Sequence, residues 1–165
     1  MTTKDFYGNN LTRRDRTDKI DKPQLITPHS LRETRKVLRV LVVEDNPVNQ
    51  HLAVRLVEKK GHSVTAVGSG RGALEILERE LFDVVLMDVQ MPEMDGFEAT
   101  GAIRKKEQGT GSHLPIIAMT AHAMRGDRER CLTAGMDAYV TKPVNVKKLF
   151  AAIESVCPQE TMASS

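Results

Sequence analysis

The sequence predicts a doubly wound α/β domain, a five-stranded parallel sheet in the order 2-1-3-4-5 with helices on both faces. Three observations predict it. Short runs of Val, Leu, Ile and Met recur along the chain. They are too short for typical helices and too continuously apolar for strands with one wet face, and read as strands buried on both faces. Between them lie segments of helical period, several opening on a capping residue or closing on glycine. Five such strand–helix units follow one another with no internal repeat, as in a sheet wound by crossover helices. Hydrophobic residues make up 40% of the 165, but aromatics only 4%, so the core must be built from Val, Leu, Ile, Ala and Met.

The first strand is expected over 37–43, closing on Val40-Leu41-Val42-Val43. Asn46 offers an oxygen to open helical N–H groups, and Pro47 suits the first helical position. That helix should run to about Lys60 with Val48, Leu52, Leu56 and their neighbours forming an apolar face, and Gly61 supplies a left-handed stop. Ser63 to Val67 is the second strand and Gly70 to Glu80 the second helix. Phe82 to Met87 is the third strand, ending at Asp88, and Gly96 to Lys106 the third helix. Gln108-Gly109-Thr110-Gly111-Ser112 is a loop. Leu114 to Met119 is the fourth strand, and the fourth helix lies within Ala121 to Ala134, stopped by Gly135. Tyr139 to Thr141 is the fifth strand. Asn145 caps the last helix, with Val146, Leu149, Phe150, Ile153 and Val156 at helical spacing.

Residues 1–36 lack sustained periodicity and read as a linker or disordered leader, with one helical turn conceivable at 30–36. They hold nine basic and five acidic residues, against fifteen and seventeen over the rest, so the net charge of +2 hides a mildly acidic domain. The leader mixes both signs and has no aromatic interleaving beyond Phe6 and Tyr7, which favours a solvated linker over a nucleic-acid or membrane arm. Residues 157–165 read as a flexible tail. No run approaches the ~18 apolar residues of a membrane span and no signal peptide is visible, so the chain reads as cytoplasmic, or as the cytoplasmic part of a membrane-bound sensor. Cys131 and Cys157 have no metal spacing and read as ordinary thiols. His29, His51, His62, His113 and His122 are scattered without ligand spacing.

In this topology ligands gather at the carboxyl ends of the strands, at the switch point between strands one and three. Strand one delivers Glu44 and Asp45 there, strand three Asp88, strand four Thr120 and strand five Lys142. Two carboxylates about 4 Å apart repel by ~4 kcal/mol at an effective dielectric near 20. Three call for a divalent cation, and oxygen ligands select a hard one, usually Mg²⁺. Asp45 and Asp88 are expected to bind it directly and Glu44 through water, with a backbone carbonyl just after Asp88 completing the site. Such a metal invites a phosphoryl group, and an Asp carboxylate can accept one. Lys142 would then pair with one phosphoryl oxygen and Thr120 hydrogen-bond another.

Val43-Glu44-Asp45-Asn46, Leu86-Met87-Asp88-Val89-Gln90-Met91-Pro92, Ala118-Met119-Thr120-Ala121 and Tyr139-Val140-Thr141-Lys142-Pro143 together resemble the receiver domain of two-component response regulators. The resemblance spans 37 to about 156. It implies the (βα)5 flavodoxin-like receiver fold, with Asp88 as phosphoacceptor and Glu44 and Asp45 in a Mg²⁺ site completed by the Gln90 carbonyl. It also implies Thr120 as switch hydroxyl, Tyr139 as switch aromatic, Lys142 as phosphate-binding lysine and a cis peptide before Pro143. Tyr139 could equally be a sheet-edge aromatic and Thr120 a helix cap. Glu44 stands where many members have Asp, which a water-mediated role tolerates.

The implied partner is a histidine kinase domain or a histidine phosphotransfer protein, met by a monomer or weak dimer. The fourth helix, fifth strand and fifth helix form the face that responds. Leu25 to Glu33, Asp45-Asn46-Pro47-Val48-Asn49-Gln50 and Thr120-Ala121-His122-Ala123-Met124 are similar to the carboxyl-terminal receivers of hybrid histidine kinases; a stand-alone regulator is the alternative. Mg²⁺-dependent haloacid-dehalogenase-type phosphatases also use an Asp nucleophile, but in a D-x-D motif after the first strand. Here the nucleophile follows the third strand and the residue two beyond it is Gln90. The reading is therefore a phosphoacceptor with at most self-phosphorylation and self-dephosphorylation.

Overall fold

The computed structural model describes residues 37–121 and 125–158. The readings of 1–36 (His29 included), of His122 to Met124 and of the tail beyond 158 lie outside the described residues. The elements are β1 Arg39–Val43, α1 Pro47–Lys59, β2 Ser63–Val67, α2 Gly70–Leu77, β3 Val84–Asp88, α3 Gly96–Glu107, β4 Ile116–Thr120, α4 Arg125–Ala134, β5 Ala138–Thr141 and α5 Val146–Val156. Every strand pairing is parallel and the order is β2-β1-β3-β4-β5, as the sequence predicts.

Alternate residues of the strands face opposite layers, because successive side chains in a strand point to opposite faces. Leu41, Val43, Val85, Met87, Ile116 and Ala118 pack with Ala73 of α2, Ala99 and Ile103 of α3 and Cys131 of α4. Val40, Val42, Val84, Leu86, Ile117 and Met119 pack with Ala53 and Val57 of α1 and Leu149 and Ile153 of α5. Burying each large aliphatic side chain contributes roughly 1.5–3 kcal/mol. This two-sided burial is why the strands read as unbroken apolar runs.

The punctuation works as expected at most positions. Asn46 Oδ1 accepts from the N–H of Val48 and Asn49, and Asn145 Oδ1 from those of Lys147 and Lys148. Gly61 and Gly135 take positive φ of 91° and 105° after α1 and α4. Two expectations need correction. Helix α2 stops at Leu77 instead of Glu80, because the N–H groups of Glu78 and Arg79 turn to carbonyls three residues back. On α1 Ala53 and Val57 are buried and Leu56 packs partly buried beside them, as expected, but Val48 is 76% and Leu52 39% exposed. The part of α1 that meets the sheet is its second half, Ala53 and Val57 with Val54 and Leu56 beside them. Val146 is likewise exposed in the first turn of α5.

Candidate functional site

Register builds the site. Val43 is paired with Met87, so Glu44 and Asp45, which follow β1, lie beside Asp88 at the end of β3. One oxygen from each of the three carboxylates falls within 4.8 Å of the other two. Asp45 is exposed, whereas Glu44 is 1% and Asp88 2% exposed. Lys142, just after β5, reaches back over this group. Its Nζ donates to Asp88 Oδ1 at 3.0 Å and forms an ion pair with Glu44 Oε1 at 2.8 Å.

The charges do not balance: one ammonium faces three carboxylates. Burial, reinforced by the hydrogen bond and charge of Glu44, pushes the Asp88 carboxyl above the usual range, and Lys142 only partly offsets this. Burial alone would lower the Lys142 ammonium, but the Glu44 and Asp88 carboxylates outweigh it and hold its pKa above the usual value. The buried Glu44 Oε1 meets the Lys142 ammonium at 2.8 Å as an ion pair and has no further partner among the described residues. Glu44 Oε2 accepts from Asn46 N–H at 3.1 Å. Three carboxylates, all hard oxygen donors, with one contacting ammonium among the described residues fit a Mg²⁺ site.

The β3–α3 loop is shaped around Asp88. Gln90 N–H donates to Asp88 Oδ1 at 3.2 Å. Gly96 packs on the same peptide, where a Cβ would lie 2.4 Å from the Asp88 carbonyl oxygen, so only glycine fits. Between them Met94 N–H donates to Pro92 O, closing a γ-turn with Glu93 at φ 68°, a strained form for a residue with a side chain. Thr120 is buried at the end of β4, in register with Thr141, and its carbonyl accepts from Lys142 N–H at 2.7 Å. Tyr139 is partly buried in β5, in register with Ala118. With Arg128, Leu132, Lys148 and Ala152 it lines a groove of about 590 Å³ bordered by α4 and α5. The Lys142–Pro143 peptide is cis.

The structure thus gathers Glu44, Asp45, Asp88 and Lys142 into one contact group, with Gln90 and Thr120 at its margins and Tyr139 on the next strand. Two contributors escaped the sequence reading. Gly96 looked like a helix start, and its close approach to Asp88 is a tertiary fact. Gln50 donates from Nε2 to the carbonyls of Glu44 and Val67 at 3.0 and 3.2 Å. Its spacing, one helical turn after the cap Asn46, was the available signal.

The response regulator receiver domain model matches residues 40–154. The chain belongs to this family. Its fold and acidic cluster are those of a receiver domain in two-component phosphorelay signalling, which sets aside the phosphatase reading. The chain is 46% identical over 135 residues, 77% of its length, to the hybrid signal transduction histidine kinase I of Dictyostelium discoideum. The first curated relatives are much longer proteins, of which the chain spans 8 to 16%. Among solved structures it is similar to the receiver domain of sensor histidine kinase PA1611 from Pseudomonas aeruginosa, solved with a magnesium ion in its active site cleft. That match has a TM-score of 0.66 and 41% identity, covering 74% of this chain and 98% of the other. The Ssk1 receiver of Saccharomyces cerevisiae, crystallised with the histidine phosphotransfer protein Ypd1, matches with a TM-score of 0.68 and 30% identity over 75% of this chain and 91% of that one.

Proposed function

We propose that this receiver accepts a phosphoryl group on Asp88 from a phosphohistidine of a kinase or phosphotransfer protein. The observation that carries the reading is the shared cleft of Glu44, Asp45 and Asp88, with the Lys142 ammonium in contact with Glu44 and Asp88. A carboxylate oxygen of Asp88 attacks phosphorus, the P–O bond forms as the P–N bond breaks, and the donor imidazole leaves. Asp45, Asp88 and the Gln90 carbonyl would hold Mg²⁺, with Glu44 acting through water. When bound, the ion supplies positive charge against the phosphoryl oxygens. Lys142 pairs with one of those oxygens and Thr120 donates to another. Incubation with a small phosphodonor and Mg²⁺ should add one phosphoryl mass, which Asp88→Asn abolishes. Equal labelling of that variant would refute the assignment.

The added charge, about −1.5 to −2, draws Thr120 toward the phosphoryl group, and Tyr139 moves inward, altering the α4–β5–α5 face. Thr120→Ala should still take up phosphate but lose most of the amide shift changes over 125–156 that a beryllofluoride mimic induces in the parent. Identical shift patterns would reduce Thr120 to a structural residue. The exposed Val48 and Leu52 lie on α1 just beyond Asp45, and offer the donor protein an apolar foothold beside the cleft. Residues 37–156 are taken as the receiver, between the 1–36 linker and the 157–165 tail. Similarity to hybrid kinases supports the reading that the domain serves such a kinase, on its cytoplasmic side, as a monomer or weak dimer. Among the described residues no helix is long and apolar enough to cross a membrane. The full-length gene decides this point: kinase modules upstream support it, and their absence leaves a stand-alone regulator.

A further inference from the structure

Asp45 is the exposed member of the acidic group and lies in the short bend between β1 and α1. A carboxylate on such a bend is aimed only as well as its backbone is held. The peptide joining Glu44 to Asp45 is held from the helix side. Gln50, one turn into α1, donates from Nε2 to the carbonyl of Glu44 at 3.0 Å, and that carbonyl belongs to the peptide carrying the Asp45 N–H. The same amide group donates to the carbonyl of Val67 at the end of β2, at 3.2 Å. Glu44 N–H also donates to Val67 O, at 3.1 Å. One side chain therefore ties together the ends of β1 and β2 and the first turns of α1, directly behind the cluster.

The chemistry is selective for glutamine. Two carbonyls require two N–H donors on one atom, which a carboxylate or thioether of the same length lacks. An Asn at this position would be one methylene short of both carbonyls. We infer that Gln50 is a positioning residue for the Mg²⁺ site, its amide fixing the Glu44–Asp45 peptide and so aiming the Asp45 carboxylate toward Asp88. This rests on the Mg²⁺ reading proposed above. Groups that orient metal ligands from behind typically matter by ten- to a hundredfold in affinity. Because Gln50 acts through the backbone, about tenfold is expected.

The test is a Mg²⁺ titration followed by amide shifts in the parent, Gln50→Met and Gln50→Glu, at a temperature where circular dichroism shows each folded. Both variants should bind Mg²⁺ about tenfold more weakly, and the ¹⁵N resonance of Asp45 should move before any metal is added. A lowered melting temperature with unchanged Mg²⁺ affinity would overturn the inference, leaving Gln50 a structural clip. If Gln50→Met does not fold, Gln50→Glu carries the test. Loss of the fold in both also overturns it. A parent that gives no Mg²⁺ response at Asp45 and Asp88 refutes the metal reading, and this inference with it. A responsive parent with equally responsive variants refutes the inference alone.

Discussion

The two edges of the sheet treat carboxylates in opposite ways. At the amino edge, Asp137 Oδ2 accepts from Ile116 N–H and from Arg104, and its Oδ1 meets His113 Nε2 at 2.7 Å. Glu107 takes Arg104 on one oxygen and Leu114 N–H on the other. Arg104 Nε donates to Gly135 O, and Asp83 accepts from Arg39 N–H. Each acid there has donors fixed in the backbone or in a fork-shaped guanidinium. At the carboxyl edge three acids gather and Lys142 meets two of them, Glu44 and Asp88, while Asp45 lies exposed beside them. The amino edge is complete and holds the fold, whereas the carboxyl edge is short of cationic charge and is completed by what it binds.

Removing the lysine should have the largest effect on stability. Lys142→Met leaves buried carboxylates with no ammonium, and should cost about 3 kcal/mol in metal-free buffer. Urea unfolding with and without Mg²⁺ measures it, and Mg²⁺ should restore much of the loss. A variant indifferent to Mg²⁺ would show that cation shortage does not govern this edge. Asp137→Ala is the counterpart at the amino edge. It strips partners from Ile116 N–H, Arg104 and His113, and should cost about 2 kcal/mol. Mg²⁺ should not rescue it; rescue would erase the distinction between the edges.

A smaller effect of opposite sign is expected at Asp88. Its carboxyl is held above the usual range by burial and by Glu44, so ionising it in the folded state is unfavourable. A raised folded pKa favours the fold most below the unfolded value, and that advantage is lost as pH rises through the folded one. Asp88→Asn should therefore stabilise the metal-free domain near neutral pH, and the gain should shrink as pH falls through and below ~4, as the unfolded carboxyl takes up its proton. Lys142 keeps Glu44 as a partner, so the variant does not orphan it. A destabilised variant at neutral pH would mean that the Lys142–Asp88 pair outweighs the repulsion.

The strand order and the meeting of Glu44, Asp45, Asp88 and Lys142 were legible because apolar runs, turn residues and crossover rules leave few topologies. The seating of α1 was not. Val48 and Leu52 continue the apolar spacing of Leu56 toward the start of α1, and periodicity does not say how far along the helix that face meets the sheet. Ala53, Val57 and, in part, Leu56 meet the sheet, and Val48 and Leu52 nearer the start of the helix are left exposed. The contacts of Gly96 and Gln50 were hard to read for a related reason. Each acts on a backbone group brought near by the fold, and a carbonyl oxygen has no sequence signature.

The smallest effect lies at the amino edge, where an imidazole nitrogen accepts from a backbone N–H. Leu38 N–H donates to His62 Nδ1 at 3.1 Å, a bond that needs the ring nitrogen unprotonated. Burial is the chief cause that lowers the His62 pKa; Asp83 pulls it upward and Lys60 pushes it further down. Phe150 packs against the ring and also carries the Lys60 ammonium over its face, so a proton on His62 would meet a like charge nearby. A depressed folded pKa contributes stability that is present above the unfolded value, ~6.5, and is lost as pH falls through the folded one. The ring is partly exposed, so the loss between about pH 7.5 and 5.5 should not exceed about 0.5 kcal/mol. His62→Asn keeps an acceptor near Nδ1 without titrating in this range. Subtracting its pH profile from the parent's cancels the carboxylates common to both. The difference should grow on acidification, with the Leu38 amide resonance shifting in the parent only. Parallel profiles would show that the Leu38 bond survives protonation elsewhere on the ring, and that the amino edge is insensitive to pH at this position.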